Sequence, residues 1–292
     1  MENCESRKMT PDQLRKMQLT ELDMLVEFDR VCRKHDINYV IFTGTLLGAV
    51  RHKGFIPWDD DADIGILRED YKKFKKVSSE LNPEICYFQN HETDPEYRWE
   101  YGKLRRSNTV FVREGQERIK CKTGIFVDIF PMDDVPENVV GQMMQDFDCF
   151  VMRKILYSEV GKYNSKGFAK VIYELLSKIP MSYVYKRITK YTNKSNNKTN
   201  NKVRCLLFPA MGKLYKRKRK LPLKERYGMP KEWFLDRTLM TFEGHDFYVP
   251  KKYDDVLRYI YEDYMQLPPE DERQPHAPFC KIKFQDEDEI IQ

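Results

Sequence analysis

The stretch GTLLGAVRHKGFIPWDDDADIGI, residues 44–66, decides how this chain is read. It follows the short β-branched and aromatic run Tyr39-Val40-Ile41-Phe42, which predicts a buried strand ending at Thr43-Gly44. Residues 45–50 suit a short helix, the loop 54–60 with Pro57 brings the chain back, and Ala62–Leu67 predicts a second strand. Asp61 and Asp63, one residue apart, then project from one face of that strand. Two like charges on one face repel, and a hard cation such as Mg²⁺ offsets them, commonly held by one or two carboxylates together with substrate phosphates. An acidic pair beside a turn is also the ordinary composition of a solvated loop, so the stretch needs support from elsewhere.

That support comes from TGIFVDIF, residues 123–130, an apolar strand pattern with Asp128 inside it. If the two strands are neighbours, Asp61, Asp63 and Asp128 form a three-carboxylate cluster. Such a cluster holds two metals about 3.5–4 Å apart and clamps the attacking and leaving oxygens of a phosphoryl displacement. Asp128 is the natural base for the incoming hydroxyl. Gly44-Thr45, at the strand-to-helix junction, offers backbone N–H groups where a phosphate binds. Arg51 and Lys103 are the cations best placed to meet a diphosphate, whereas Lys53 and Arg106 read as surface charges. Trp58 either packs or stacks on a base or a quaternary ammonium group.

Around these motifs the chain punctuates itself. Thr10-Pro11-Asp12-Gln13 has the form of an N-cap, a proline at the first helical position and a capping-box glutamine. Leu14, Met17, Leu22, Leu25, Val26 and Val31 then recur at helical spacing to about Lys34. Residues 69–77 place acids before lysines, as a helix dipole favours. Residues 84–89 and 97–113 predict strands, the latter a hairpin about Ser107-Asn108. From about Pro136 the pattern becomes helical over 138–162 and 167–192, followed by a polar loop at 193–202. The tail holds a short strand, HDFYVP, and a helix, KKYDDVLRYIYEDY. The reading is α/β (α+β): a mixed sheet flanked by helices in residues 1–136, and a mainly helical lobe in 137–292 whose C-terminal segment packs back on the core.

Charged residues make up 33% of the 292 and the mean hydropathy is −0.70, yet 41% are hydrophobic, enough for a folded globular protein. The seven cysteines are scattered without metal-ligand spacing, which suits a reducing cytosol. The N-terminus lacks an apolar h-region and no stretch reaches the ~18 apolar residues of a membrane span, so neither export by an ordinary signal nor membrane crossing is expected. The net charge of +5 is uneven, with basic residues crowded between Lys213 and Arg226. That segment is either a solvated helix face or a contact for phosphorylated glycan, lipid headgroups or nucleic acid.

Three blocks, FTGTLLGAVRHKGFIPWDDDADIGI, GIFVDIFPMDDVP and YVPKKYDDVLRYIYEDYMQLPPEDERQPH, together resemble the signature blocks of the LicD family, related to the fukutin-related glycan-modifying enzymes. They span about residues 40–276. The resemblance implies a nucleotidyltransferase-like fold, with Gly44-Thr45 at the turn and Asp61, Asp63 and Asp128 as catalytic and metal positions for Mg²⁺ or Mn²⁺. It also implies transfer of phosphocholine from CDP-choline to a sugar hydroxyl of a surface glycan such as teichoic acid, lipopolysaccharide or capsule, with CMP leaving. The fukutin-related branch uses CDP-ribitol. A cytoplasmic enzyme at the inner face of the membrane follows, with residues 213–226 touching the lipid surface and nucleic acid no partner. Two other readings stay open: an ordinary nucleotidyltransferase acting on a small molecule or RNA, and a non-enzymatic module binding anionic ligands.

Overall fold

The computed structural model describes residues 6–193, 199–208, 227–275 and 278–291. Helix α1 (Pro11–Lys34) starts as its sequence dictates: Thr10 Oγ1 accepts from the Gln13 N–H, and Gln13 Oε1 accepts from the Thr10 N–H. A cap of this kind is worth about 1 kcal/mol. Strand β1 (Tyr39–Ile41) leads into α2 (Thr43–His52), and β2 (Ala62–Leu67) into α3 (Arg68–Val77). Strands β3 (Cys86–Gln89), β4 (Gly102–Arg106), β5 (Val110–Arg113) and β6 (Phe126–Pro136) follow. Because β2 begins at Ala62, Asp61 belongs to the loop before it and not to the strand.

The main sheet runs β1-β2-β6-β4-β3, with β2 and β6 parallel and the other neighbours antiparallel. The predicted hairpin between β4 and β5 does not form. Both edges of β4 are taken, by β6 and β3, so the chain turns at Asn108 (φ 60°) and β5 pairs instead with β11 (Phe279–Lys283) of the tail. Phe28 of α1, Phe74 of α3 and Ile41 of β1 are fully buried, each worth roughly 1.5–3 kcal/mol relative to exposure.

Beyond β6, α4 (Val139–Asn164) runs as expected, but the helix predicted over 167–192 is two, α5 (Gly167–Leu176) and α6 (Met181–Thr192). Pro180 has no N–H to continue the ladder and sits in extended backbone as the cap of α6. Part of the predicted loop at 193–202 is strand β7 (Thr199–Arg204), which pairs with the far end of β6 and with β8 (Met229–Pro230). Polar composition concealed an edge pairing there. The short α7 (Glu232–Leu235), the ladder of β9 (Arg237–Phe242) and β10 (His245–Pro250), and α8 (Tyr253–Tyr261) complete the tail.

One hydrophobic cluster takes in buried residues from Met17 to Phe284. Among the described residues no helix is long and apolar enough to cross a membrane. Cys32, Cys86, Cys121, Cys149 and Cys205 are free, but Cys280 is disulfide-bonded, which the scattered spacing did not foreshadow. The basic residues of 213–226, and His276 of the third block, lie outside the described residues.

Candidate active site

The register of the central strands assembles the site. Parallel pairing of β2 with β6 sets Asp63 opposite Asp128, and antiparallel pairing of β4 with β6 sets Lys103 opposite Asp128. Cross-strand partners share a face of the sheet, so one rung carries all three side chains. Above the rung lies a cleft of about 850 Å³ whose walls include Thr43, Gly44, Arg51, Trp58, Asp61 and Tyr261.

Asp63 is held at both ends by threonines. The Thr43 hydroxyl, on a residue with φ 45°, donates to its carboxylate, and Thr45 Oγ1 accepts from its N–H at 2.8 Å. Thr45 is 2% exposed, so its hydroxyl positions Asp63 and does not face the cleft. Gly44 does face it. A Cβ at Gly44 would lie 2.6 Å from Asp59 Oδ2, so only glycine lets the Asp59 carboxylate approach the start of α2 this closely. Burial, then repulsion from Asp61 and Asp128, pushes the Asp63 carboxyl well above the usual carboxylate range, against the pull of the Thr43 hydrogen bond. Excess negative charge of this kind fits a hard cation.

Asp128 is buried and pairs with the Lys103 ammonium, which sits 3.3 Å from the centre of the Phe126 ring. Burial pushes the Lys103 ammonium down to about 8, with Asp128 opposing and Arg105 reinforcing the shift. Lys103 lines a smaller cavity of about 90 Å³ behind Asp128, so it acts on that carboxylate first. Arg105 spends its donors on Gln89 and the Gly124 carbonyl, and Arg106 pairs with Asp23.

Among the described residues, the metal-ligand side chains that gather three oxygens within 4.8 Å are Asp59, Asp60 and Asp61. The tightest acidic cluster is therefore the loop, while Asp63 and Asp128 form the floor. Arg113, at the end of β5, places Nη2 3.4 Å from Asp61 and 3.7 Å from Asp60 and lies over the Phe126 ring at 4.9 Å. Nothing local in VFVR marks it; its importance comes from the β5–β11 ladder. Arg51 donates to the Tyr264 carbonyl at 2.9 Å, and Trp58 meets the His52 ring edge-on with Arg273 over its own face at 5.7 Å. Tyr261 lines the same cleft; shielding of its hydroxyl and then the charges of Asp63, Asp59 and Asp61 push that hydroxyl up, although the residue as a whole is 39% exposed. Its block was recognisable in the sequence, its role was not.

Residues 36–159, β1 through most of α4, match the LicD/FKTN/FKRP nucleotidyltransferase domain. The chain is 32% identical over 270 residues to the lipopolysaccharide cholinephosphotransferase LicD of Haemophilus influenzae, covering 90% of this chain and 95% of that protein. The chain belongs to the LicD family. It is therefore an enzyme of the LicD phosphotransferase type, and the matched domain contains the Asp63–Asp128–Lys103 rung. An uncharacterized protein of Rickettsia prowazekii is 49% identical over 148 residues, 51% of this chain and 50% of that one. A second, of Rickettsia typhi, is 45% identical over 62 residues, covering 21% and 20%.

Proposed function

We propose that the chain transfers phosphocholine from CDP-choline to a sugar hydroxyl of lipopolysaccharide or a related surface glycan, releasing CMP. The observation that supports this most is the rung of Asp63 and Asp128 under an open cleft, in a chain similar along nearly its whole length to a cholinephosphotransferase. Asp61, Asp63 and Asp128 would hold Mg²⁺ or Mn²⁺, which when bound supplies Lewis-acid neutralisation of the phosphate charge.

The protein's own groups do the rest. The start of α2 at Gly44 and the Arg51 guanidinium bind the donor diphosphate in the cleft. Asp128 receives the proton of the acceptor hydroxyl, and Lys103, paired with it from behind, fixes where that carboxylate stands. The acceptor oxygen bonds to the phosphorus that bears choline, and the bond from that phosphorus to CMP breaks. Trp58 offers an aromatic face to the quaternary ammonium. Work at the cytoplasmic face of the membrane, with residues 213–226 against anionic lipid, belongs to the same proposal.

The test is to incubate purified protein with Mg²⁺, a glycan acceptor and CDP-choline, CDP-ribitol, CDP-glycerol or CDP-ethanolamine in turn. CMP release with choline on the glycan is expected. A nucleotide left on the acceptor would instead identify an ordinary nucleotidyltransferase.

A further inference from the structure

Helices α4 and α5 turn a broad apolar surface to solvent. Val140, Met143, Met144, Phe147 and Phe150 follow one stripe of α4 at helical spacing and are all exposed, Phe147 by 66%. The row that holds Val140 and Phe147 continues every seven residues to Lys154 and Gly161, and α5 packs there. A Cβ at Gly161 would lie 2.6 Å from the Tyr173 ring, and the Lys154 ammonium donates to the Tyr173 hydroxyl at 3.2 Å. α5 has no buried residue of its own. Phe168, Val171, Ile172 and Leu175 share the arc of that helix away from Tyr173 and are exposed, Phe168 by 79% and Leu175 by 61%. The stripe of α4 is thus carried on by α5. A monomer seldom leaves so many large apolar side chains together in water without a use for them.

Charge decides what covers this surface. Residues 139–192 hold nine lysines and arginines against four acids, so the segment carries +5. Each acid is in an ion pair: Asp146 with Arg204, Asp148 with Arg187, Glu159 with Lys162 and Glu174 with Lys170. Lys166 and Lys178, at either end of α5, and Lys186 and Lys190, on α6, are exposed. Phenylalanine and aliphatic side chains bordered by lysines are the composition with which helices lie in a membrane interface, the ammonium groups meeting anionic headgroups. A second copy of the chain would instead set one positive surface against another.

We propose that the α4–α5 surface docks on an anionic bilayer, with Phe147, Phe168 and Leu175 entering the boundary between headgroups and acyl chains and the lysines meeting lipid phosphates. The face also reaches the cleft. Phe150 and Tyr157 line a cavity of about 450 Å³ together with Tyr101 and Phe208, and the latter two line the cleft above the Asp63–Asp128 rung as well. The docking surface is separate from residues 213–226. It is read without donor or acceptor, so it stands or falls apart from the transfer reaction.

Flotation of the purified full chain with vesicles of equimolar phosphatidylglycerol and phosphatidylethanolamine, and with vesicles of phosphatidylcholine, is the test. The wild type is expected to float with the anionic vesicles and far less with phosphatidylcholine. Phe147→Ser with Phe168→Ser should lower partitioning roughly tenfold or more at an unchanged melting temperature, because these side chains leave water only at the membrane. Lys166→Glu with Lys178→Glu is an independent route, and should weaken binding to the anionic vesicles. A wild type that stays unbound, wild-type partitioning by both double variants, or a loss produced only by neutralising the basic residues of 213–226 overturns the proposal. So does a dimer in solution that the Phe147→Ser, Phe168→Ser protein no longer forms, which would make the face an interface between copies.

Discussion

Asp63 and Asp128, far apart in sequence, stand opposite each other on adjacent parallel strands at the bottom of one cleft. Asp63→Asn removes a metal-binding charge and almost no volume. Transfer should fall by about 10²–10³-fold or more, with the fold retained and the melting temperature unchanged or raised, since a repelled carboxylate is gone. CMP release and a thermal melt measure the two effects, and wild-type turnover would sink the assignment.

Lys103→Met is expected to damage the fold more than Asp63→Asn does. It leaves the Asp128 carboxylate buried without its partner, at a cost of about 3–5 kcal/mol. Denaturant unfolding of the two single variants and of Lys103→Met with Asp128→Leu separates the causes. The double variant should recover most of the loss, and a double variant as unstable as the single one counts against the pairing.

Gly44→Ala places a methyl group against the Asp59 carboxylate at the start of α2. The loop must shift, at a cost of roughly 1–3 kcal/mol, and donor binding should weaken along with it. KM for the CDP donor is the readout, and a KM equal to that of the wild type would show that the approach of Asp59 to α2 has no part in binding.

The sequence disclosed the local structure of the motif but not its surroundings. The bounds of α1, β2 and β10 were readable because a capping box, β-branched alternation and flanking turns act over a few residues. Asp128 was legible as an acid misplaced in an apolar strand. Arg113 and Thr43 were not, because each acquires its meaning from a partner distant in the chain: β11 for Arg113, β2 for Thr43. Thr45 and Lys103, expected as phosphate-binding residues, also support the acids: the Thr45 hydroxyl accepts from the Asp63 N–H, and the Lys103 ammonium pairs with the Asp128 carboxylate.

Glu100 gives a pH dependence independent of the cleft. Burial raises its carboxyl to about 7, partly offset by Arg68, with Asp133 adding to the rise. Between the ordinary value of 4.5 and about 7 the native state holds a proton that the unfolded chain has released, so stability falls as pH rises through that window. Glu100→Gln should raise stability at pH 8, on the order of 2 kcal/mol, and give nothing at pH 4. Melting curves across that range are the check, and an equal gain at both ends would mean that the carboxyl does not titrate there.

The pairing of β5 with β11 sets Arg113 opposite Phe279, a residue far along the sequence from the acidic motif. The strand that carries the counter-charge of the acidic loop is thus held in place by a segment that contributes no acid itself. A substitution that loosens β11 would reach the acids at the centre of the site through the β5–β11 ladder, more than the distance along the sequence suggests.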